Sequence, residues 1–332
     1  MIPVFLISDE NYIKYTAVTM QSVMSGTKEK ISFYILDGGI TPDSKEKIEQ
    51  ILTKTGNSVE FIPMDLKLFD KFPDIAHFSL NMYFRYLIPD LKPQLKKALY
   101  IDTDMVINGD IADIYNTDLG EYGLAAVPYL TEELKPSDLS EYKTALGLPA
   151  KHLYFNSGLL LIDCDYWRKH NISKTLMEKT AELHDKLNMP DQDVLNIVFN
   201  ENYKVMPRQY NLIVDTTMLF FNVKEFIKSL TGCFVLHYTG GKAVRPWMHA
   251  KVPYYQKFWE LAKQTPFYND LLTDLLFNFM DRIDHINDNI KNIKLFGFIP
   301  FLKICSQDNI KRVYLFDFIP LFKTKTKELK HK

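Results

Sequence analysis

The sequence predicts an α/β fold: a mostly parallel central sheet with helices on both faces, followed by a helical and basic C-terminal appendage. Three observations carry this. Short apolar runs alternate with stretches of helical periodicity from residue 2 to about residue 265. Several of those runs end in Asp or Gly, as strands do where they hand over to loops. Beyond residue 267 the pattern changes to one polar-apolar helix and then to a repeat rich in Lys, Phe and Ile. The domain boundary expected from that change separates residues 1–265 from residues 266–332.

Ile2–Ser8, an apolar run broken only by Pro3, gives the first strand; Tyr15, Val18, Thr19, Ser22 and Val23 then share neighbouring faces of a helix. Ile31–Leu36 is a second strand ending at Asp37-Gly38-Gly39. Thr41-Pro42-Asp43 has the chemistry of an N-cap with proline in the first turn, for a helix reaching Leu52. Val59–Ile62 is a third strand. Lys97–Ile101 is the most informative, because it runs straight into Asp102-Thr103-Asp104. Further strands are expected at Gly123–Val127, Leu153–Ile162 and Cys233–Tyr238, and helices over 166–186, 191–199 and 254–263. In sheets of this kind ligands bind beyond the carboxyl ends of the strands.

With 332 residues, 46% hydrophobic and 24% charged, the chain has the composition of a globular protein, and disorder is excluded for its bulk. The first dozen residues lack a basic flank and are too short in apolar content for a secretory signal or a membrane span, so the body is expected in the cytoplasm. Cys164, Cys233 and Cys305 are far apart and form no C-x-x-C, which argues against a disulfide framework or a zinc knuckle and fits a reducing compartment. Neither a P-loop nor a G-x-G-x-x-G occurs, so a nicotinamide-binding reading loses its main support. The net charge of −1 hides an asymmetry: residues 291–332 hold ten Lys or Arg against three acids, which leaves −8 on the rest.

Three Asp-x-Asp pairs occur. Carboxylates two apart at a strand's end can approach one divalent cation, whose charge offsets their repulsion and neutralises a diphosphate. Asp102 and Asp104 have that placement; an Asx-turn or a pair of solvated loop acids is the alternative. Asp163 and Asp165 lead into Tyr166-Trp167-Arg168 and read as a helix cap. Asp191 and Asp193 follow Pro190 and open an apolar-periodic segment, as a cap and dipole partners would. His237 ends an apolar strand followed by Gly240-Gly241-Lys242, and is either a strand histidine satisfied by backbone groups or a metal ligand beside a second cluster. A metal-dependent phosphohydrolase, or a non-catalytic binding or accessory protein, stays open on these residues alone.

Taken in order, Ser8-Asp9-Glu10-Asn11-Tyr12, Tyr83-Phe84-Arg85-Tyr86, Leu99-Tyr100-Ile101-Asp102-Thr103-Asp104, Phe155-Asn156-Ser157-Gly158, Asp191-Gln192-Asp193-Val194-Leu195-Asn196 and His237-Tyr238-Thr239-Gly240 resemble glycosyltransferase family 8, over roughly residues 2–262. That family holds retaining nucleotide-sugar transferases, among them bacterial lipopolysaccharide galactosyl- and glucosyltransferases and glycogenin. The resemblance implies a GT-A fold with a Rossmann-like sheet. It also implies transfer of galactose or glucose from a UDP-sugar to a glycan, glycolipid or glycoprotein acceptor. By it, Asp102, Asp104 and His237 are ligands of Mn²⁺ or Mg²⁺, the imidazole favouring Mn²⁺. Asp9, Asn11 and Tyr12 become nucleoside contacts, with the Tyr12 ring on uracil, and Arg85, Asn156, Asp191 and Gln192 contact the donor sugar. Thr103, Ser157 and Gly240 join the substrate contacts. Where the family usually has lysine before Pro-Trp, this chain has Arg245-Pro246-Trp247; Lys242, directly after the glycines, is the preferred diphosphate contact and Arg245 the other. Gln192 is placed beside the anomeric carbon, so front-face attack is favoured for retention, with Asp193 and Asp191 as the nucleophiles of the alternative route.

The basic tail carries a loose repeat, Lys294–Lys303 and Tyr314–Lys323, spaced by twenty residues. Aromatic residues and isoleucines among lysines have the composition of an interfacial anchor on anionic lipid, which would hold the enzyme at the inner face of the plasma membrane. The tail lacks an RNA-binding motif and the body is acidic, so no nucleic-acid partner is expected.

Overall fold

The structure is a computed structural model that describes residues 1–73, 79–129, 136–214, 230–239, 244–248, 252–286, 292–295, 299–307, 310–315 and 319–325. The chain divides into two compact units, Met1–Leu272 and Thr273–Lys332.

In the first unit the strands are β1 (Ile2–Ser8), β2 (Ile31–Asp37), β3 (Ser58–Pro63), β4 (Lys97–Ile101), β5 (Met105–Asn108), β6 (Leu124–Pro128), β7 (Phe155–Asp163), β8 (Lys204–Val205), β9 (Leu212–Ile213) and β10 (Phe234–His237). The helices are α1 (Ile13–Gly26), α2 (Pro42–Leu52), α3 (Ile88–Leu91), α4 (Ala112–Tyr115), α5 (Pro136–Ala145), α6 (Cys164–Lys169), α7 (Ile172–Glu182), α8 (Pro190–Phe199) and α9 (Tyr255–Ala262), with α10 (Tyr268–Ile286) crossing the unit boundary. The main sheet runs β3-β2-β1-β4-β7-β6-β8. Its first four strands are parallel and β7 is antiparallel to both β4 and β6. A sheet buried on both faces needs apolar side chains at successive positions, and β4 supplies them. Leu99 and Ile101 enter one core cluster with Ala17 and Met20, while Ala98 and Tyr100 enter the other with Trp167 and Val194.

The predicted α/β architecture is the observed one, but two local expectations change. The helix expected over 166–186 is two helices, because Asn171 takes a left-handed conformation (φ 53°) that an α-helix does not continue through. A second sheet, β5-β10-β9, was not foreseen. Its β10 falls within the strand expected at Cys233–Tyr238, but β5 and β9, of four and two residues, are too short for any periodicity to register. This small sheet matters for the site. β5 begins one residue after Asp104, and β10 pairs antiparallel with it so that His237 lies opposite Met105.

In the second unit, β11 (Asn292–Leu295), β12 (Ile299–Gln307), β13 (Ile310–Leu315) and β14 (Ile319–Lys325) form an antiparallel meander. The twenty-residue repeat is thereby explained, since each copy holds the end of one strand and the start of the strand paired antiparallel to it. Leu295 pairs with Ile299 in the first and Leu315 with Ile319 in the second. Both ladders slip register beside a proline, Pro300 opposite Lys294 and Pro320 opposite Tyr314, as expected for a residue that has no N–H to give. Among the described residues no helix is long and apolar enough to cross a membrane.

Candidate functional site

A cleft of about 980 Å³ opens at the carboxyl ends of β1 and β4 and is lined by residues from both sheets, the Leu80–Leu87 turn of 3-10 helix and α8. Its floor is the passage from β4 to β5. β4 ends at Ile101 and β5 begins at Met105, and the short turn between them brings Asp102 and Asp104 to the end of β10, where Tyr238 N–H donates to Asp104 O. One carboxylate oxygen of each and His237 Nε2 lie within 4.8 Å of one another. Nε2 is 3.1 Å from Asp104 Oδ1 and 3.6 Å from Asp102 Oδ2, yet it is buried without a hydrogen-bond partner of acceptable geometry. The space between them is kept by Gly158. A Cβ there would sit 2.4 Å from His237 Cε1 and 2.7 Å from Asp102 Oδ2. Two carboxylates, one orphaned imidazole nitrogen and a cradle that a methyl group would fill suit a divalent cation.

Asp102 is held from behind. Its Oδ1 accepts from Tyr100 Oη and from Arg85 Nη2 at 3.1 Å, which leaves Oδ2 toward His237. Burial drives the Asp104 carboxyl upward, but His237 and Arg245 outweigh it and hold the group below its ordinary range. Arg85, only 5% exposed, is the hub of this wall. Its guanidinium donates to Met82 O, Ser157 O and Ser157 Oγ, lies 3.0 Å from Asp191 Oδ2, and stacks 4.4 Å over the Tyr100 ring. Burial works against its charge, yet Asp191 and Asp102 favour it and keep Arg85 firmly protonated.

Asp191 Oδ2 accepts from Ser157 Oγ at 2.9 Å, and burial pushes this carboxyl up against the pull of Arg85. Gln192 is fixed at both ends of its amide. Oε1 accepts from Asn156 Nδ2 (2.8 Å) and Ser157 N (3.1 Å), and Nε2 donates to Tyr154 Oη (3.2 Å). Asp193 turns the other way. Its two oxygens accept from Tyr142 Oη, Tyr154 Oη, Asn188 N and Met189 N, and it does not line the cleft.

Of the remaining residues singled out from the sequence, Asp9, Tyr12, Thr103, Asn156 and Ser157 line the cleft together with Asp102, Asp104, Arg85, Asp191 and Gln192. Asn11 is not among the lining residues; its backbone N–H, like that of Tyr12, donates to Asp9 Oδ1 at 3.0 Å. Gly240 and Lys242 lie outside the described residues. Arg245 does line the cleft, donates to Tyr12 Oη at 3.1 Å, and has a buried Nε without a partner. Asp163 caps α6 as expected, accepting from Tyr166 N at 2.8 Å. Cys164 and Cys233 are free and buried. Sequence reasoning missed Tyr100, Tyr129, Tyr154 and Asn211, whose roles depend on contacts across the fold and leave no local pattern.

A model of the family described as Glycosyl transferase family 8 matches residues 3–251. The chain belongs to that family. General stress protein A of Bacillus subtilis (strain 168) is 27% identical over 271 residues, covering 78% of this chain and 92% of that protein. The lipopolysaccharide 1,2-glucosyltransferase of Escherichia coli is 25% identical over 269 residues, 76% of each. Among solved structures, the galactosyltransferase LgtC in complex with donor and acceptor sugar analogs matches with a TM-score of 0.70 and 27% identity, over 80% of this chain and 96% of that one. This family 8 member is therefore a glycosyltransferase of GT-A fold, and the phosphohydrolase and accessory readings fall away.

Proposed function

We propose that this family 8 enzyme is a retaining hexosyltransferase that moves galactose or glucose from a UDP-sugar to a glycan, glycolipid or glycoprotein acceptor. One observation carries the reading: three metal-ligand side chains from two different sheets converge on the floor of a cleft whose opposite wall is the Arg85–Asp191–Gln192 array. Asp102, Asp104 and His237 would hold Mn²⁺ or Mg²⁺, and the cation supplies Lewis-acid stabilisation of charge on the leaving diphosphate.

The protein's own groups do the rest. Tyr12, braced by Arg245, offers its ring to uracil, with Asp9 and Asn11 beside it. Lys242, directly after the glycines, is the preferred diphosphate contact and Arg245 the other; the half-buried Arg245 lines the cleft at the same end, and its Nε is buried without a partner. Arg85, Asp191, Asn156 and Gln192 meet the hexose hydroxyls, for which hydrogen-bond pairing gives strong selectivity.

Retention through a covalent intermediate needs a free carboxylate at the anomeric carbon. Asp191 Oδ2 is engaged by Arg85 and Ser157, and both oxygens of Asp193 are engaged away from the cleft. Gln192 is an amide and a poor nucleophile. These commitments favour front-face attack, in which the acceptor oxygen bonds to the anomeric carbon as the diphosphate leaves and a diphosphate oxygen takes the acceptor's proton. Incubation with Mn²⁺ and a panel of UDP-sugars, reading UDP release, tests the assignment: one hexose should be consumed in a metal-dependent way. No turnover of any UDP-sugar would remove it, and a glycosyl adduct on Asp191 or Asp193 would replace the mechanism.

The C-terminal excess of seven positive charges supports peripheral attachment at the inner face of the plasma membrane. A basic residue near anionic lipid contributes about 1 kcal/mol, so a fraction of the excess suffices. Full-length protein should float with anionic vesicles at low salt and not with zwitterionic ones; equal behaviour would end the idea.

A further inference from the structure

The buried amides around the cleft form one continuous chain. His237 Nδ1 lies 3.1 Å from Asn211 Oδ1, Asn211 Nδ2 donates to Asn156 Oδ1 at 2.8 Å, and Asn156 Nδ2 donates to Gln192 Oε1 at 2.8 Å. Asn211, Asn156, Gln192 and His237 are 4, 5, 4 and 1% exposed, so water does not compete for these contacts. A primary amide has a donor end and an acceptor end. Reversing any one of them in such a chain sets donor against donor or acceptor against acceptor.

Two backbone groups of β7 decide which direction the chain takes. Gly158 N–H donates to Asn156 Oδ1 at 2.9 Å and Ser157 N–H donates to Gln192 Oε1 at 3.1 Å. Neither backbone donor can be inverted, so Asn156 Oδ1 must face Asn211 as an acceptor. Asn211 must then give it Nδ2 and turn Oδ1 to the imidazole. His237 Nδ1 is required to carry a hydrogen, which leaves Nε2 as the atom aimed at Asp102 and Asp104.

We infer that Asn211 is a positioning residue: it passes the polarity of the β7 backbone to His237, fixing the ring orientation in which Nε2, and not Nδ1, is the metal-ligating nitrogen. The inference rests on reading Asp102, Asp104 and His237 as metal ligands, and deepens it by naming what orients the third. Groups that accept from the far nitrogen of a ligating histidine typically account for 10- to 100-fold in metal affinity. The same chain ties the metal ligand to Gln192 through Asn156, so the two ends of the cleft share one hydrogen-bond register.

The test measures Mn²⁺ binding to the full-length protein without nucleotide, by the electron paramagnetic resonance signal of free Mn²⁺. Asn211→Leu keeps the volume and removes the acceptor, and should weaken Mn²⁺ binding by about 10- to 100-fold. Asn211→Asp keeps an acceptor toward Nδ1 but sets its second oxygen against Asn156 Oδ1, so it should bind less tightly than wild type and clearly more tightly than Asn211→Leu. Wild-type affinity in Asn211→Leu overturns the inference. So does an equal loss in Asn211→Asp, which would mean that packing and not the acceptor matters. A further measurement needs no variant: nitrogen-15 spectra of histidine-labelled wild type should show a hydrogen on His237 Nδ1 with and without Mg²⁺, and a bare Nδ1 in either state overturns the inference as well. Failure of wild type to bind Mn²⁺ would instead strike the metal reading itself, so the two failures are told apart.

Discussion

Asp102-Thr103-Asp104 and Asp191-Gln192-Asp193 are spelled alike and do opposite things. The first pair sits in the three-residue turn between β4 and β5, tied to β7 by Asp102 N–H to Gly158 O and to the end of β10 by Tyr238 N–H to Asp104 O, and its carboxylates converge on His237. The second sits in the first turn of α8, where residues two apart are rotated by about 200° around the axis. Asp191 therefore faces Arg85 and Ser157 in the cleft, while Asp193 faces Tyr142, Tyr154 and the backbone behind it. The motif's letters carry no chemistry until the backbone conformation beneath them is known. A turn held between two sheets makes the pair a chelate, and a helix divides it into one cleft residue and one structural anchor.

The comparison breaks most sharply if the turn pair is neutralised. Asp104→Asn removes a charge from the metal-ligand set while keeping the side chain's shape. Lewis-acid stabilisation is worth several kcal/mol, so UDP release should fall by roughly 1000-fold. A loss of less than tenfold would show that the pair is not a chelate. Gly158→Ala probes the same convergence from the opposite side, since the added Cβ would meet both His237 and Asp102. Mn²⁺ affinity should drop by about 10- to 100-fold, the range expected when the orientation of a ligand is disturbed. Unchanged affinity would mean that the three ligands have more room than their positions imply.

Much of this was legible beforehand, for reasons that particular residues show. The β4 run into Asp102 could be read because four consecutive buried residues, Ala98–Ile101, leave a strong local signal, and β1 has five in a row. His237 was visible as a strand end, but its partnership with Asp104 was carried by a resemblance. The pairing of β10 with β5 that creates it is a contact between residues far apart in sequence. Asn211 was invisible, because one asparagine in a short 3-10 turn has no pattern, and its value comes entirely from the imidazole and the amide it lies between. Lys242 was preferred to Arg245 because it directly follows the glycines, and it lies outside the described residues, whereas Arg245 lines the cleft.

The helix pair is sharpened by Asp193→Asn. An asparagine offers one acceptor oxygen in place of two and sets its NH₂ against either a tyrosine hydroxyl or the Asn188 and Met189 N–H groups. Hydrogen bonds to a buried charged group contribute about 1.5–3 kcal/mol each, so stability should fall by about 2–3 kcal/mol in chemical denaturation. Turnover should fall less than tenfold, because Gln192 keeps its contacts to Asn156 and Ser157. A collapse of turnover with unchanged stability would return Asp193 to the chemistry and undo the contrast with Asp191.

The smallest effect concerns pH and has a sign that follows from burial. Burial raises the Asp193 carboxyl above its ordinary value of 3.8, outweighing Tyr142, Tyr154 and the two backbone donors, which pull it down. The folded state therefore holds this proton more tightly than the unfolded chain does. A group raised on folding contributes its stability below the unfolded value and loses it as pH climbs through the folded value. Relative to Asp193→Asn, which cannot titrate, wild type should thus gain in melting temperature as pH falls from neutral toward the ordinary carboxylate range. The shift should be a few degrees at most, since one buried carboxyl is a small part of the whole. A gap between the two proteins that narrows on acidification would mean that the four donors outweigh burial, making Asp193 a carboxylate stabilised as an anion.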